Sequence, residues 1–522
     1  MLPRKCAASS PFAYSSVLRS LMIAKDSHSP DFHQDQQPPF IDSDYDPDPR
    51  NRGLDDDLPV VCPPHTTERK LIAKIDLRVI PCLCILYLLA FLDRVNISNA
   101  RIFRLEEDLG LVETEFNTAL TIFFVPYILF EIPSNIFLKR LKPHLWLSGC
   151  MFFFGLSTLC QGFVQNYSGL LATRFFLGLF ETGMFPGCFY LIGMWYKRSE
   201  AQRRYSFFFS STTLAGAFGG LLASAIGNMD GLQGYSGWRW VFILEGLLTC
   251  VVAFAFFFLI PDFPEEAKWL TEEERVYVEA RLRKDQGKSA VERKIGVKDV
   301  LNIFKDYKIF LGGFMYLGLI VPAYGYAYFS PTIIRSYGYD PIKTQLYSVP
   351  PWAAAFGFAM AVAYVSDKLK HRFLFAIFPI CIAIAGFAIL LSVHDNIQVQ
   401  YAALFLAAMG CYSAMPVIVC WFNMNLGGHH RRSVGSAWQI SFGNIGGIIA
   451  TYSFLTKDQP FYKPGYSISI SFICLSALSC VLYFLAVWSQ NRTRRKMPRN
   501  VGLTEFEKSE MGDTSPDYRY LL

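Results

Sequence analysis

The sequence predicts an all-α membrane protein: twelve transmembrane helices in two pseudo-symmetric six-helix bundles. Three observations predict it. The 522 residues are 52% hydrophobic and only 18% charged, where a soluble chain carries about 25% charge. The apolar residues cluster into twelve runs of about 20 residues, the length that crosses a bilayer. The second six runs repeat landmarks of the first six at a nearly constant offset, as parallel repeats do.

Taken in chain order, residues 1–70 are polar and rich in proline, with Asp-Ser-Asp-Tyr-Asp-Pro-Asp-Pro at 42–49. Such a composition cannot bury a core, and a disordered cytoplasmic tail is expected. A first bundle follows over 71–260, with spans at 78–99, 117–138, 146–164, 168–195, 207–228 and 239–260. A cytoplasmic linker is expected over 261–308. In it, Thr271-Glu-Glu-Glu274 is a capping box that starts a helix. Val297, Val300, Leu301 and Phe304 keep the spacing of an interfacial amphipathic helix. The second bundle occupies 309–488, with spans at 309–330, 345–365, 372–391, 400–422, 434–455 and 466–488. A tail over 489–522 opens with Arg492, Arg494, Arg495, Lys496 and Arg499, a basic cluster suited to the anionic cytoplasmic leaflet.

Loop charge sets the orientation. Loops after even-numbered spans are basic, through Lys139, Arg140 and Lys142, Lys197, Arg198, Arg203 and Arg204, Lys368, Lys370 and Arg372, and Arg431 and Arg432. The loop after span one is net acidic. The positive-inside rule then puts both termini in the cytoplasm.

The repeat is carried by matched pairs about 226–230 residues apart. Trp195-Tyr196 matches Trp421-Phe422, Arg203-Arg204 matches Arg431-Arg432, and Met184-Phe-Pro186 matches Ala414-Met-Pro416. Gly216-Ala-Phe-Gly219-Gly220 matches Gly443-Asn-Ile-Gly446-Gly447. Glycines at that spacing let helix backbones approach closely, and those close contacts are also surfaces on which two halves can rock.

Several function classes drop out. The net charge of +6 comes from short loops rather than a basic face, so no nucleic acid is expected. Eleven of the thirteen cysteines fall inside spans without metal-ligand spacing. No metal, cofactor, nucleophile elbow or phosphate loop is predicted, and the chain is not expected to be an enzyme.

The informative residues are charges at membrane depth, each costing roughly 2.5–3.5 kcal/mol to insert. Asp93, Arg94, Glu131, Arg174, Glu181 and Glu245 all lie in the first half, and none is expected in the interiors of spans seven to twelve. Arg94 stays charged at any depth and its planar fork suits a carboxylate, which makes it the candidate anion ligand. Asp93 is either its resting counter-ion or a carrier of the coupling proton. Glu181 lies near the middle of its span, just before Pro186-Gly187, where a helix break admits water; it is the other proton-coupling candidate. Arg174 shares its face, seven residues earlier and about 10 Å along the axis. Glu131 and Glu245 read as gating or structural charges, as do Arg174, Asp367 and Arg372. In the second half, Tyr316 and Tyr324 on the tyrosine-rich span seven, and Asn444 in the glycine motif, are the candidate substrate contacts. A tyrosine-lined cavity suits a flat aromatic solute.

Four stretches resemble one family closely: Lys74-Ile-Asp-Leu-Arg-Val-Ile-Pro81, Phe91-Leu-Asp-Arg-Val-Asn-Ile-Ser-Asn-Ala100, Arg174-Phe-Phe-Leu-Gly-Leu-Phe-Glu181 and Gly237-Trp-Arg-Trp-Val-Phe-Ile-Leu-Glu-Gly246. Through them the chain resembles the major facilitator superfamily, in its anion:cation symporter branch, and within that the fungal permeases for nicotinate, allantoate and related carboxylates. The resemblance covers about residues 70–490 and implies the major facilitator fold. It implies that Arg94 coordinates an organic anion and that Asp93 and Glu181 serve proton coupling. One departure stands out. The loop after span two, Ser134-Asn-Ile-Phe-Leu-Lys-Arg140, lacks the family's usual aspartate, whereas Ser366-Asp-Lys-Leu-Lys-His-Arg372 keeps it. Asn135 or Glu131 is then the candidate replacement in gating.

The expected function is secondary active, proton-coupled import of a small organic anion by alternating access. Its partners are the anion, protons and the lipid bilayer. The chain is expected to act as a monomer in the plasma membrane. A nutrient sensor of the same fold, which binds without flux, and a proton-driven exporter are the competing readings.

Overall fold

The protein is described by a computed structural model over residues 62–112, 114–286, 297–369, 371–427, 429–496 and 518–522. The tail expected over 1–70 lies outside these residues up to position 61. Among the described residues there are sixteen α-helices. In the first half these are α1 (Glu68–Ile102), α2 (Leu105–Leu109), α3 (Glu115–Arg140), α4 (Pro143–Gln161), α5 (Tyr167–Glu181), α6 (Met184–Trp195), α7 (Arg198–Ile226) and α8 (Gly237–Leu259). Two linker helices follow, α9 (Glu272–Gln286) and α10 (Val297–Phe304). The second half holds α11 (Tyr307–Arg335), α12 (Pro341–Leu369), α13 (Phe373–Ser392), α14 (Ile397–Asn425), α15 (His429–Ser453) and α16 (Lys463–Lys496).

Ten helices, with α5 and α6 counted as one, are long and apolar enough to cross a membrane. With α3 and α15, 26 and 25 residues long, they make twelve passes. Their outer faces carry large exposed apolar side chains, such as Leu129, Phe254, Phe258 and Leu478. In water such a surface would drive association; against lipid it is the expected exterior.

Hydropathy marks only the lipid-depth part of each helix, and several helices run past it. α1 starts at Glu68, ten residues before the span expected at 78, and α16 continues to Lys496. The added turn or turns carry charges that are paired on the linker end. Arg204 forks onto Asp76 at 2.6 and 2.7 Å, Lys74 donates to Glu274 at 2.7 Å, and buried Arg281 reaches Glu68 and Glu200. Thus α9 is held against α1 and α7. Its start is the capping box: Glu274 N–H donates to Thr271 Oγ1 at 3.3 Å, and Thr271 N–H to Glu274 Oε2 at 3.1 Å. Asn166 is the N-cap of α5, its side chain accepting from Gly169 N–H at 2.8 Å.

The two glycine motifs sit at the seam between halves. A Cβ on Gly216 would strike the Trp352 ring, and one on Gly220 would strike Ser348, so α7 lies directly on α12. A Cβ on Gly447 would strike the Phe124 ring, so α15 lies directly on α3. Gly443 instead makes room for Tyr316 inside the second half.

The last five residues form a clasp on the second half. Tyr520 and Asn491 exchange two hydrogen bonds, at 3.0 and 2.9 Å. Asn425 does the same with Leu521, at 2.7 and 3.0 Å, and Trp421 donates to Leu521 O at 2.9 Å. Arg372 N–H donates to Leu522 O at 2.7 Å, and Lys308 Nζ to the Tyr520 hydroxyl at 2.7 Å. Four helix ends are stitched together at this point. Buried cations do occur in the second half, but Lys308 and Arg372 sit at its linker end rather than at mid-membrane.

Candidate functional site

Glu181 is the last residue of α5, and the chain breaks at Thr182-Gly183 before α6. The break comes earlier than Pro186 because a proline has no N–H to offer the carbonyl four residues back. Two contacts hold it. Thr182 Oγ1 donates to Tyr127 O at 2.7 Å, and a Cβ on Gly183 would sit 2.6 Å from Ser134 Oγ. The Glu181 carboxylate is thereby fixed at the end of a half-helix, deep in the protein.

Arg94 on α1 reaches it. Arg94 Nε donates to Glu181 Oε1 at 3.1 Å, and Nη2 donates to the same oxygen. Nη1 donates to the Tyr324 hydroxyl on α11, in the other half. The guanidinium also lies over three rings, 4.9 Å from Phe123, 5.2 Å from Tyr127 and 5.7 Å from Tyr324. Cation–π contacts stabilise a desolvated arginine while leaving its N–H groups available. Arg174 donates to the carbonyl of Arg94 at 3.1 Å, which fixes the α1 backbone here. It is not bonded to Glu181, despite sharing its face.

Below the arginine, toward the linker end, is an aromatic cavity of about 30 Å³. Tyr87 and Phe91 of α1, Tyr316 and Tyr324 of α11, and Tyr412 of α14 line it. Tyr87, Phe91 and Arg94 recur at helical spacing, so one face of α1 presents two rings and then a cation. A volume of that size admits about two waters, so a solute must part the halves to enter.

The remaining candidate residues lie apart from this face. Asp93 points toward α4 and α8, beside Thr158 and Thr249, and makes no bond to Arg94. Glu181, not Asp93, is the counter-ion of Arg94, because adjacent helical residues point about 100° apart. Glu245 accepts from the Asn96 amide. Glu131 crosses the seam and accepts from Ser441 Oγ on α15 at 2.9 Å; the Asn135 side chain lies outside the described residues. Asp367 pairs with Arg372 at 2.8 Å within one helix–helix turn of the second half, so that pair does not bridge the halves. Asn444 is buried, its Nδ2 has no partner among the described residues, and it does not line the cavity. Among the described residues no cluster of His, Cys, Asp and Glu is placed to hold a metal ion.

Sequence reasoning passed over Phe123 and Tyr127, which cage the arginine, and Asn96 and Ser441, which engage the carboxylates. The aromatic pair sits in an apolar span where nothing marks it. Asn96 and Ser441 were visible as polar residues in apolar surroundings.

Comparison with known proteins agrees with this architecture. The family model described as Major Facilitator Superfamily matches residues 83–451. The MFS-type transporter cnsO of Penicillium expansum is 33% identical over 474 residues, covering 87% of this chain and 91% of that protein. The major facilitator-type transporter hxnP of Emericella nidulans is 31% identical over 473 residues, covering 87% and 93%. Among solved structures, the proton:xylose symporter XylE bound to 6-bromo-6-deoxy-D-glucose superposes with a TM-score of 0.62 at 14% identity, over 78% of this chain and 95% of that one. A bacterial homolog of the human lysosomal transporter Spinster, inward-facing and occupied, superposes at 0.59 and 14% identity, over 81% and 98%.

Proposed function

The chain belongs to the major facilitator superfamily and is a multi-pass membrane transporter rather than an enzyme; from that premise we propose that it imports a small, flat organic anion together with protons. One observation carries the reading. Arg94 is held between Glu181 of the first half and Tyr324 of the second, and Tyr324 lines an aromatic cavity.

An incoming carboxylate and Glu181 compete for the same guanidinium. Charge-assisted bonds of this kind contribute about 1.5–3 kcal/mol each, so Glu181 blocks the anion while it is ionised. A proton on Glu181 removes that competition and frees the fork for the substrate. Binding of anion and proton is then mutually favourable, as linkage requires of coupled ligands. Asp93 is the second proton-coupling carboxyl. The rings of Tyr87, Phe91, Tyr316 and Tyr412 provide stacking faces for a planar solute. Because Arg94 touches both halves, occupying it alters the contact between them, and the halves rock on the Gly216, Gly220 and Gly447 seams. The boundaries proposed are 71–260 and 309–488 for the bundles and 261–308 for the linker, with both termini cytoplasmic, in the plasma membrane, as a monomer.

The test is uptake of a labelled panel (nicotinate, allantoate, pantothenate, biotin, small dipeptides) in cells lacking their own permeases. Accumulation of an aromatic carboxylate, lost in Arg94→Lys, is expected. Binding without flux would instead identify a sensor, and wild-type uptake in Arg94→Lys would remove the bidentate role.

A further inference from the structure

Two carboxyl groups in the first half take no part in the anion site. Asp93 is 0% exposed, and neither of its oxygens has a hydrogen-bond partner among the described residues. Glu245 is 2% exposed; Oε2 accepts from Asn96, and Oε1 has no partner among the described residues. Asp93, Asn96, Glu245 and Thr249 form one seam. Asp93 and Asn96 are three apart on α1, and Glu245 and Thr249 are four apart on α8, so each pair shares a helix face. Asn96 meets Glu245, and Asp93 stands beside Thr249. The two carboxyls are thus about one helical turn, roughly 5 Å, apart along the seam.

Nothing on that seam neutralises two negative charges. The charged groups acting on Asp93 are Glu245 on α8, and Glu181 and Arg174 on α5; α4 brings only the hydroxyl of Thr158. The titratable groups of α11, Tyr324 and Tyr328, act on Arg94, and Cys188 of α6 acts on Tyr87, nearer the linker end. Arg94 is committed to Glu181 and Tyr324. Arg174 donates to a carbonyl, but its Nε and Nη2 have no partner among the described residues. Asp93 has the neutral hydroxyls of Thr249 and Thr158 beside it but no bonded cation among the described residues; burying such a carboxylate is costly, and two close together cannot both be ionised.

We propose that Asp93 and Glu245 are a proton-holding carboxyl pair on the α1–α8 seam, separate from the anion site, and that Glu245 is a coupling residue. The inference rests on the proton-coupled reading above. The pair holds a single proton: while one carboxyl carries it as O–H the other is ionised, and one water between them relays it across the roughly 5 Å that separates them. When the pair gives it up to water, the free Nε and Nη2 of Arg174 are the donors that turn to Asp93. Arg174 also acts on Glu181, which ties the state of the pair to that of the anion site.

The experiment uses purified full-length protein in liposomes, with the aromatic carboxylate found by the uptake panel and a trapped pH dye. Wild type is expected to accumulate anion about tenfold per pH unit of gradient with proton co-flux. Glu245→Gln keeps the shape and an acceptor for Asn96. It is expected to retain anion counterflow, which needs no net proton movement, and to lose gradient-driven accumulation and co-flux. Accumulation in Glu245→Gln with the wild-type pH profile would overturn the proposal, as would accumulation driven by a sodium gradient instead of a proton gradient. Absence of proton co-flux in the wild type would sink the coupling reading itself, a result distinct from failure of the variant. If Glu245→Gln does not fold, Asn96→Ala strips the last donor from Glu245 and is expected to move the pH profile of accumulation toward alkaline values. An unmoved profile would then refute the pair.

Discussion

Arg94 on α1 and Glu181 at the end of α5 form a buried ion pair, Nε to Oε1 at 3.1 Å, while the remaining fork of Arg94 reaches across to Tyr324 in the other half. Arg94, the cation bonded to the cavity-lining Tyr324, is therefore occupied at rest by the protein's own carboxylate. An anion gains it by exchange.

Glu181→Gln removes the competing charge while keeping the side-chain shape. Anion binding should strengthen by about 10–100-fold, the equivalent of one charge-assisted bond, and should lose its dependence on pH. Equilibrium binding of the labelled anion from pH 5 to 8 measures both. Gradient-driven accumulation should fall while counterflow persists.

Tyr324→Phe keeps the ring over the guanidinium and deletes the hydroxyl that bridges the halves. Its partner is charged, so the loss should be about 1.5–3 kcal/mol, read as a rise in KM of roughly 10-fold or more with folding intact. An unchanged KM would mean that the hydroxyl bridge does not contribute to anion binding.

Gly447→Leu places a side chain where the Phe124 ring lies, on the contact between α15 and α3. Overpacking of this kind costs about 1–3 kcal/mol, here charged against the closed seam alone. Uptake should drop by about tenfold or more with normal expression. Thiol labelling of a cysteine placed at Thr451, which bonds Thr121 and whose carbonyl accepts from Asn117, should increase as that end stays open.

The linker helix supplies a pH test. Burial pushes the Glu274 carboxyl up, but Lys74 and the Thr271 N–H outweigh it and hold it below the usual carboxylate range. A group whose folded value is depressed adds stability above its unfolded value, and that stability is lost as pH falls through the folded one. Hydrogen exchange over 272–282 should therefore stay slow at neutral pH and quicken as pH falls below the carboxylate range. In Glu274→Gln it should be fast throughout.

The passes were legible as apolar runs of bilayer length because lipid makes apolar length obligatory, and the repeat was legible because glycine motifs and basic turns survive in both halves. Buried charges were legible for the same reason, being rare at that depth. Their pairing was not. Asp93 and Arg94 are neighbours in sequence, yet the helix turns them to different helices, and the partner of Arg94 lies 87 residues on. Phe123 and Tyr127 were invisible as a cage because an aromatic residue in an apolar span is the ordinary case. The Tyr518–Leu522 clasp was missed because five residues carry no periodicity, and its recognition by Asn425 and Asn491 is made through backbone groups.

The central claim is that the anion and the proton bind together at Arg94 and Glu181. It is tested most directly by proton co-flux in liposomes holding the purified protein, with an aromatic carboxylate added outside. The account predicts that adding the anion acidifies the lumen, that collapsing the gradient abolishes accumulation, and that Arg94→Ala shows neither effect. Accumulation that persists after the gradient is collapsed, with no change in lumenal pH, would contradict it.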